Sequence, residues 1–130
     1  TPGDSGRLVV TAALPERPGA LLAWNRLADE FSAGVACAGL VADVPTETPR
    51  VSGDRAAFLG PHGHPGAPAA LAPGAHLDGR VGAGLSAGFH QEVTVSVPAG
   101  GRVRVSFLLG EGIVTSTTQI RSIELPAALP

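Results

Sequence analysis

The sequence predicts an all-β protein, an antiparallel β-sandwich or part of one. Three observations carry this expectation. Val93, Val95 and Val97 alternate with Thr94 and Ser96, and Val103, Val105 and Phe107 alternate with Arg104 and Ser106; this is the period-two pattern of half-buried strands. The chain is dense in turn formers, with 18 Gly and 12 Pro among 130 residues, a content that approaches low-complexity composition. Against disorder stand 34 Leu, Ile, Val and Phe residues and a net charge of only −2, too apolar and too nearly neutral for a chain that cannot form a core.

The elements follow in order. Residues 7–13 and 19–24 are short apolar runs separated by Pro15-Glu16-Arg17-Pro18, whose two prolines forbid a continuous helix; they predict a first hairpin. Residues 25–31 carry no decisive pattern. Residues 34–44 form a longer run of Val and small residues bounded by Gly34 and Pro45 and read as a buried strand. From 61 to 74, four prolines and three glycines predict an irregular connection with one helical turn at 67–72; connections of this length are usually functional, disordered or buttressed by a neighbour. Residues 91–97 and 102–109, joined by Pro98-Ala99-Gly100-Gly101, predict a second hairpin, with Val93, Val95, Val97, Val103, Val105 and Phe107 inward. Residues 115–125 predict one more strand, and 126–130 a tail. The domain is expected to span 1–112, with 113–130 as an appendage. No repeat of 20–50 residues is visible. Much of the apolar count is Ala, so the core is thin and a face is expected to need a neighbour to cover it.

Composition excludes several classes of function. All nine basic residues are Arg, set against 11 acids and spread along the chain, so neither nucleic acid nor an anionic membrane is expected as a partner. No run of about 18 apolar residues predicts a membrane span, and no signal pattern stands at the start. Cys37 is the single cysteine, which rules out an internal disulfide and a Cys-rich metal site. The start at Thr1-Pro2-Gly3 without Met predicts a piece of a longer protein.

Motifs with chemical potential mostly lack their context. Gly84-Leu85-Ser86-Ala87-Gly88 matches the nucleophile elbow of serine hydrolases, but no helix-forming segment follows, and no acid separates Ser86 from the only later His, His90. Gly82-Ala83-Gly84-Leu85-Ser86-Ala87 fits the loose dinucleotide pattern, again without strand, helix and acid in place. His62 and His64, with His76 and His90, supply the residue types of a metal site, on a flexible Pro/Gly loop. Asp29, Glu30, Asp54 and Asp78 could supply an acid and a base of glycosidase type, whose separation spacing cannot fix. Trp24, followed by Asn25 and Arg26, offers an indole face for the apolar side of a sugar ring and polar groups for its hydroxyls.

Four segments then align with a known pattern: Asp54-Arg55-Ala56-Ala57-Phe58-Leu59-Gly60; Pro68-Ala69-Ala70-Leu71; Leu77-Asp78-Gly79-Arg80-Val81-Gly82-Ala83-Gly84-Leu85; and Val97-Pro98-Ala99-Gly100 leading to Val105-Ser106-Phe107-Leu108-Leu109-Gly110. In order and spacing they resemble the β-sandwich region of the inverting glycoside phosphorylases, the cellobiose and chitobiose phosphorylase family, and above all its copy in cyclic β-1,2-glucan synthases. Where that pattern continues with Arg-Gly after Phe-Leu-Gly, this chain has Pro61-His62-Gly63; where Asp-Pro follows Gly-Leu, it has Ser86-Ala87.

The resemblance implies a mutarotase-like sandwich, of which this chain is the later half, packed on a helical catalytic barrel that shares its glucan site and, in many members, dimerising. The catalytic acid and the inorganic phosphate site belong to the barrel, so this chain alone is expected to lack turnover and to bind no cofactor. The expected ligand is a β-glucan or oligosaccharide, contacted by Trp24, Asn25, Arg26, Arg55, His62 and Arg80. The expected setting is bacterial and cytoplasmic, including a parent anchored in the inner membrane. Two rival expectations are a free-standing carbohydrate-binding module and a ligand-free dimerisation scaffold.

Overall fold

A computed structural model describes residues 9–25 and 34–113. Arg26, most of the unassigned 25–31 stretch and the strand expected at 115–125 lie outside the described residues. Among the described residues six strands form two antiparallel sheets, with little helix. The first sheet orders β1 (Val9–Ala13), β2 (Leu21–Asn25), β3 (Gly34–Ala42) and β6 (Val105–Ile113) as β1-β2-β3-β6; the second pairs β4 (Arg50–Asp54) with β5 (Ala87–Glu92). A five-residue helix, α1 (Arg55–Leu59), follows β4 directly, and a 3-10 turn spans Ala69–Leu71. The all-β sandwich, the first hairpin, the strand from Gly34 and the turn within 67–72 therefore match expectation.

The apolar runs of β2 and β3 do not alternate because both faces of the first sheet are buried where these two strands pair. Leu22, Trp24, Val35 and Cys37 share one face through the pairs Leu22↔Cys37 and Trp24↔Val35, and with Leu14 and Ala20 they make the hydrophobic cluster. Leu21 and Ala38, paired on the opposite face, are also buried, as is Thr11. Thr11 is where the sheets meet: a Cβ on Gly53 of β4 would overlap Thr11 Oγ1 and lie 2.9 Å from Thr11 Cβ. Gly53 sits in the register irregularity between Ser52 and Asp54, a bulge whose missing side chain permits this approach. A second tie comes from the β1–β2 turn. Gly19, at φ +89°, fits against Leu40 and Pro49, and its carbonyl accepts from Gln91 Nε2 at 2.7 Å.

The expected second hairpin does not form. Its turn does, closed by Gly101 N–H to the Pro98 carbonyl at 2.9 Å, but its flanks pair elsewhere. Arg50, Val51 and Ser52 take Glu92, Gln91 and His90, while β3 takes β6 over nine residue pairs from Gly34↔Ile113 to Ala42↔Val105. Bonds from Asp43 N–H to the Arg104 carbonyl and from Glu47 N–H to the Thr94 carbonyl continue the association between. Segments 34–54 and 87–113 are thus one long antiparallel association that changes sheet midway. At the crossing, the seven residues 43–49 face the twelve residues 93–104, and the surplus is looped out as the Pro98–Gly101 turn. This is the corner geometry of strands that pass between packed sheets.

The inward placement of that segment is corrected with it. Val93, Val95, Val103 and Val105 are half-buried, but Val97 is 60% exposed and Phe107 59%. Phe107 and Leu109, the latter 80% exposed, lie on β6, the outer strand of the first sheet among the described residues. The physical reason is partner choice: facing β3 rather than a hairpin mate, this end of β6 extends past the second sheet.

Candidate functional site

Three of the four motif segments converge beyond the end of β4. Ser52 of β4, Ala57 and Phe58 of α1, Ala69 and Ala70 of the 3-10 turn, and Ala75, His76, Leu77 and Asp78 line a half-open cleft of about 130 Å³. That lies below the roughly 300–1,000 Å³ of ordinary small-molecule pockets, yet a water takes only about 30 Å³, so there is room for a small ring. The room exists because four of the nine lining residues are Ala.

Local chemistry fixes each wall. Asp54 caps α1, its Oδ1 accepting from Ala56 N–H at 3.1 Å, as N-cap carboxylates do. Gly60, at φ +80°, ends the helix and returns its N–H to the Ala56 carbonyl. The segment after Leu77 lies along β4, through Gly79 N–H to the Val51 carbonyl at 2.9 Å and Gly53 N–H to the Arg80 carbonyl at 2.7 Å. It continues to β1, where Thr11 N–H donates to the Gly82 carbonyl at 3.1 Å and Gly82 N–H donates to Thr11 Oγ1 at 3.1 Å.

Side chains complete the frame. Asp78 Oδ1 accepts from Arg80 N–H at 2.9 Å, and this bond first, then the Ser52 hydroxyl and the Arg80 guanidinium, holds its carboxyl below the usual aspartate value against the opposing effect of burial. Arg80 also reaches Asp54 Oδ2, with Nη1 at 3.4 Å. Glu92 accepts from His76 Nδ1 at 2.7 Å and from Leu77 N–H at 2.9 Å. The His76 bond first, then the Leu77 amide, lowers the Glu92 carboxyl below its ordinary value. His90 donates from Nδ1 to the Ser52 carbonyl at 3.0 Å, and its ring stacks on Phe58 with centroids 4.3 Å apart and planes at 20°.

The expected sugar-contacting residues are split between the sheets. Arg55, the first residue of α1, and His62, in the turn after it, are exposed, and neither lines the cleft. Arg80 is 61% exposed at its side chain and is engaged with both Asp54 and Asp78. Trp24 and Asn25 end β2 in the other sheet, with Trp24 half-buried against the hydrophobic cluster. Ser52 and Phe58 carried no signal of a cleft, being one small polar and one apolar residue in short runs. Asp78 and His76 stood out for acid–base and metal chemistry instead.

The other motifs resolve geometrically. Ser86 leads into β5 and not into a helix, so the nucleophile-elbow turn is not formed. His64 accepts from Gly66 N–H, His76 is turned to Glu92 and His90 to Ser52, and among the described residues no three His, Cys, Asp or Glu side chains converge as a metal site. Asp54 and Asp78 share Arg80 between them. No helix among the described residues is long and apolar enough to cross a membrane.

Residues 2–124 match the family model described as glycosyl hydrolase 94, supersandwich domain. No curated protein and no solved structure matches the chain.

Proposed function

The chain belongs to the glycosyl hydrolase 94 supersandwich family, a β-sandwich found in the cellobiose and chitobiose phosphorylase family, and from that membership we propose that it is a non-catalytic sandwich domain of a glucan phosphorylase or cyclic β-1,2-glucan synthase. In this reading it packs on the parent's helical barrel and shapes the glucan site, while phosphate chemistry resides in the barrel. The observation that carries it is the extent of the match, residues 2–124 of 130, which accounts for almost the whole chain as sandwich. Exposed Phe107 and Leu109 on β6 support an apolar contact with a neighbouring body.

The test is to incubate the chain with inorganic phosphate and β-1,2- or β-1,4-linked gluco-oligosaccharides and assay glucose 1-phosphate. No release is expected; turnover by the chain alone overturns the proposal. Calorimetric titration with oligosaccharides of increasing length separates the rival module. A carbohydrate-binding module gains affinity as more rings are engaged, and such a gain would also count against a domain that acts only within its parent.

A further inference from the structure

We propose that the cleft between β4, α1 and residues 75–78 is a binding site for one neutral, polyhydroxylated ring, a single pyranose unit. The inference rests on the family-based reading for its choice among hydroxylated ligands, and on geometry for the rest.

Size limits the occupant: about 130 Å³ admits one ring partly sunk and excludes a chain laid lengthwise. The surface is two-sided. Ala57, Ala69, Ala70 and the Phe58 ring present an apolar wall, and Phe58 is held by its stack on His90, so it offers a fixed face to the C–H side of a sugar. Asp78 and His76 face the same space. Asp78 keeps acceptor capacity beyond the bonds it receives, since a carboxylate has about four lone-pair positions. His76 donates through Nδ1 to Glu92, which leaves its Nε2 as a second polar group. A carboxylate and an imidazole nitrogen beside an apolar wall suit adjacent hydroxyls, which both donate and accept.

Charge decides against ions. Arg80 stands between Asp54 and Asp78 and Glu92 is bonded to His76 and Leu77, so each carboxylate already has a partner, and among the described residues no three His, Cys, Asp or Glu side chains converge on a cation. An anion would meet those same carboxylates. The polar groups are also held in place before any ligand arrives, each by a second contact within the protein, which lowers the ordering cost of binding.

The experiment is a two-dimensional amide NMR titration of the full chain with methyl β-glucopyranoside, and in parallel with methylammonium and inorganic phosphate. Saturable shifts are expected at the amides of Ala57, Phe58, Ala70, Leu77 and Asp78, with Kd of about 1–10 mM, the weak range open to so small a ligand. Ala70→Phe fills the cleft and should weaken binding at least about tenfold, a shift of 1.4 kcal/mol, while Leu109→Ser, at an exposed position on β6, leaves it unchanged. If Ala70→Phe does not fold, Ala57→Leu, at an exposed helical position, makes the same test. The inference is overturned by absent or non-saturating shifts with the glucoside, by methylammonium or phosphate binding in its place, or by cleft-filling variants that bind as before. Absent binding leaves the parent-domain reading intact, because that reading needs no unaided affinity. Turnover by the isolated chain sinks that reading whatever the cleft does.

Discussion

Replacing Gly53 by Ala tests the joint between the sheets. The added methyl would overlap Thr11 Oγ1 and sit 2.9 Å from Thr11 Cβ and 3.2 Å from Thr11 Cγ2, inside a buried contact where neither strand can withdraw alone. Overpacking of this kind costs about 1–3 kcal/mol. Turning Thr11 away also breaks the bond it accepts from Gly82 N–H, worth about 0.5–1.5 kcal/mol. The sum is about 1.5–4.5 kcal/mol, which for a chain of this length lowers Tm by roughly 10 °C. Urea unfolding of the wild type, Gly53→Ala, Thr11→Ala and the double variant makes the assay. Thr11→Ala alone loses the hydroxyl's bond, but in the double variant it also removes the overlapping oxygen. The two changes should therefore be non-additive, the pair costing at least about 1 kcal/mol less than the separate losses combined. A loss below about 0.5 kcal/mol for Gly53→Ala, the range of a neutral surface change, or strict additivity, would refute the claim that the sandwich closes through this contact.

Three further outcomes are expected. Asp78 and Glu92 have lowered carboxyl pKa values in the folded chain, so their stabilisation is fully present above the ordinary values of 3.8 and 4.5 and drains away as pH falls through the depressed folded values; Glu92→Gln should flatten the acid limb of a stability–pH curve. Asp54→Ala removes the cap of α1 and one partner of Arg80 and should cost about 0.5–2 kcal/mol, read by thermal melting. Leu22→Ala, at 1% exposure in the cluster, should cost about 2–5 kcal/mol, whereas Leu109→Ser, at 80% exposure, should stay within about 0.5 kcal/mol; equal effects in the two would mean that the core is misplaced.

Local signals in the chain were reliable where the cause was local. Two prolines between residues 13 and 19 force a turn whatever else is present, and Pro98 to Gly101 closes on itself through one hydrogen bond. The Asp-Arg-Ala-Ala-Phe-Leu-Gly segment holds its own helix cap and its own helix stop. The cleft was only half legible: Asp78, His76 and Arg80 attract attention by residue type, but Ser52, Phe58 and the alanines that leave the space empty are ordinary residues until β4, α1 and 75–78 are brought together.

The sequence by itself determined that this is a turn-rich antiparallel β protein, because side-chain alternation and the backbone limits of Pro and Gly act within a few residues. Only the tertiary structure decided which strands pair. A period-two run presents the same ladder of N–H and C=O groups to any antiparallel mate, so nothing within residues 91–109 says that β5 joins β4 and β6 joins β3. That choice turns on burial summed over both sheets, on a glycine at position 53 that lets them touch and on a corner that absorbs the surplus residues. It also leaves Phe107 facing solvent and draws Ser52, His76 and Asp78 around one small cleft.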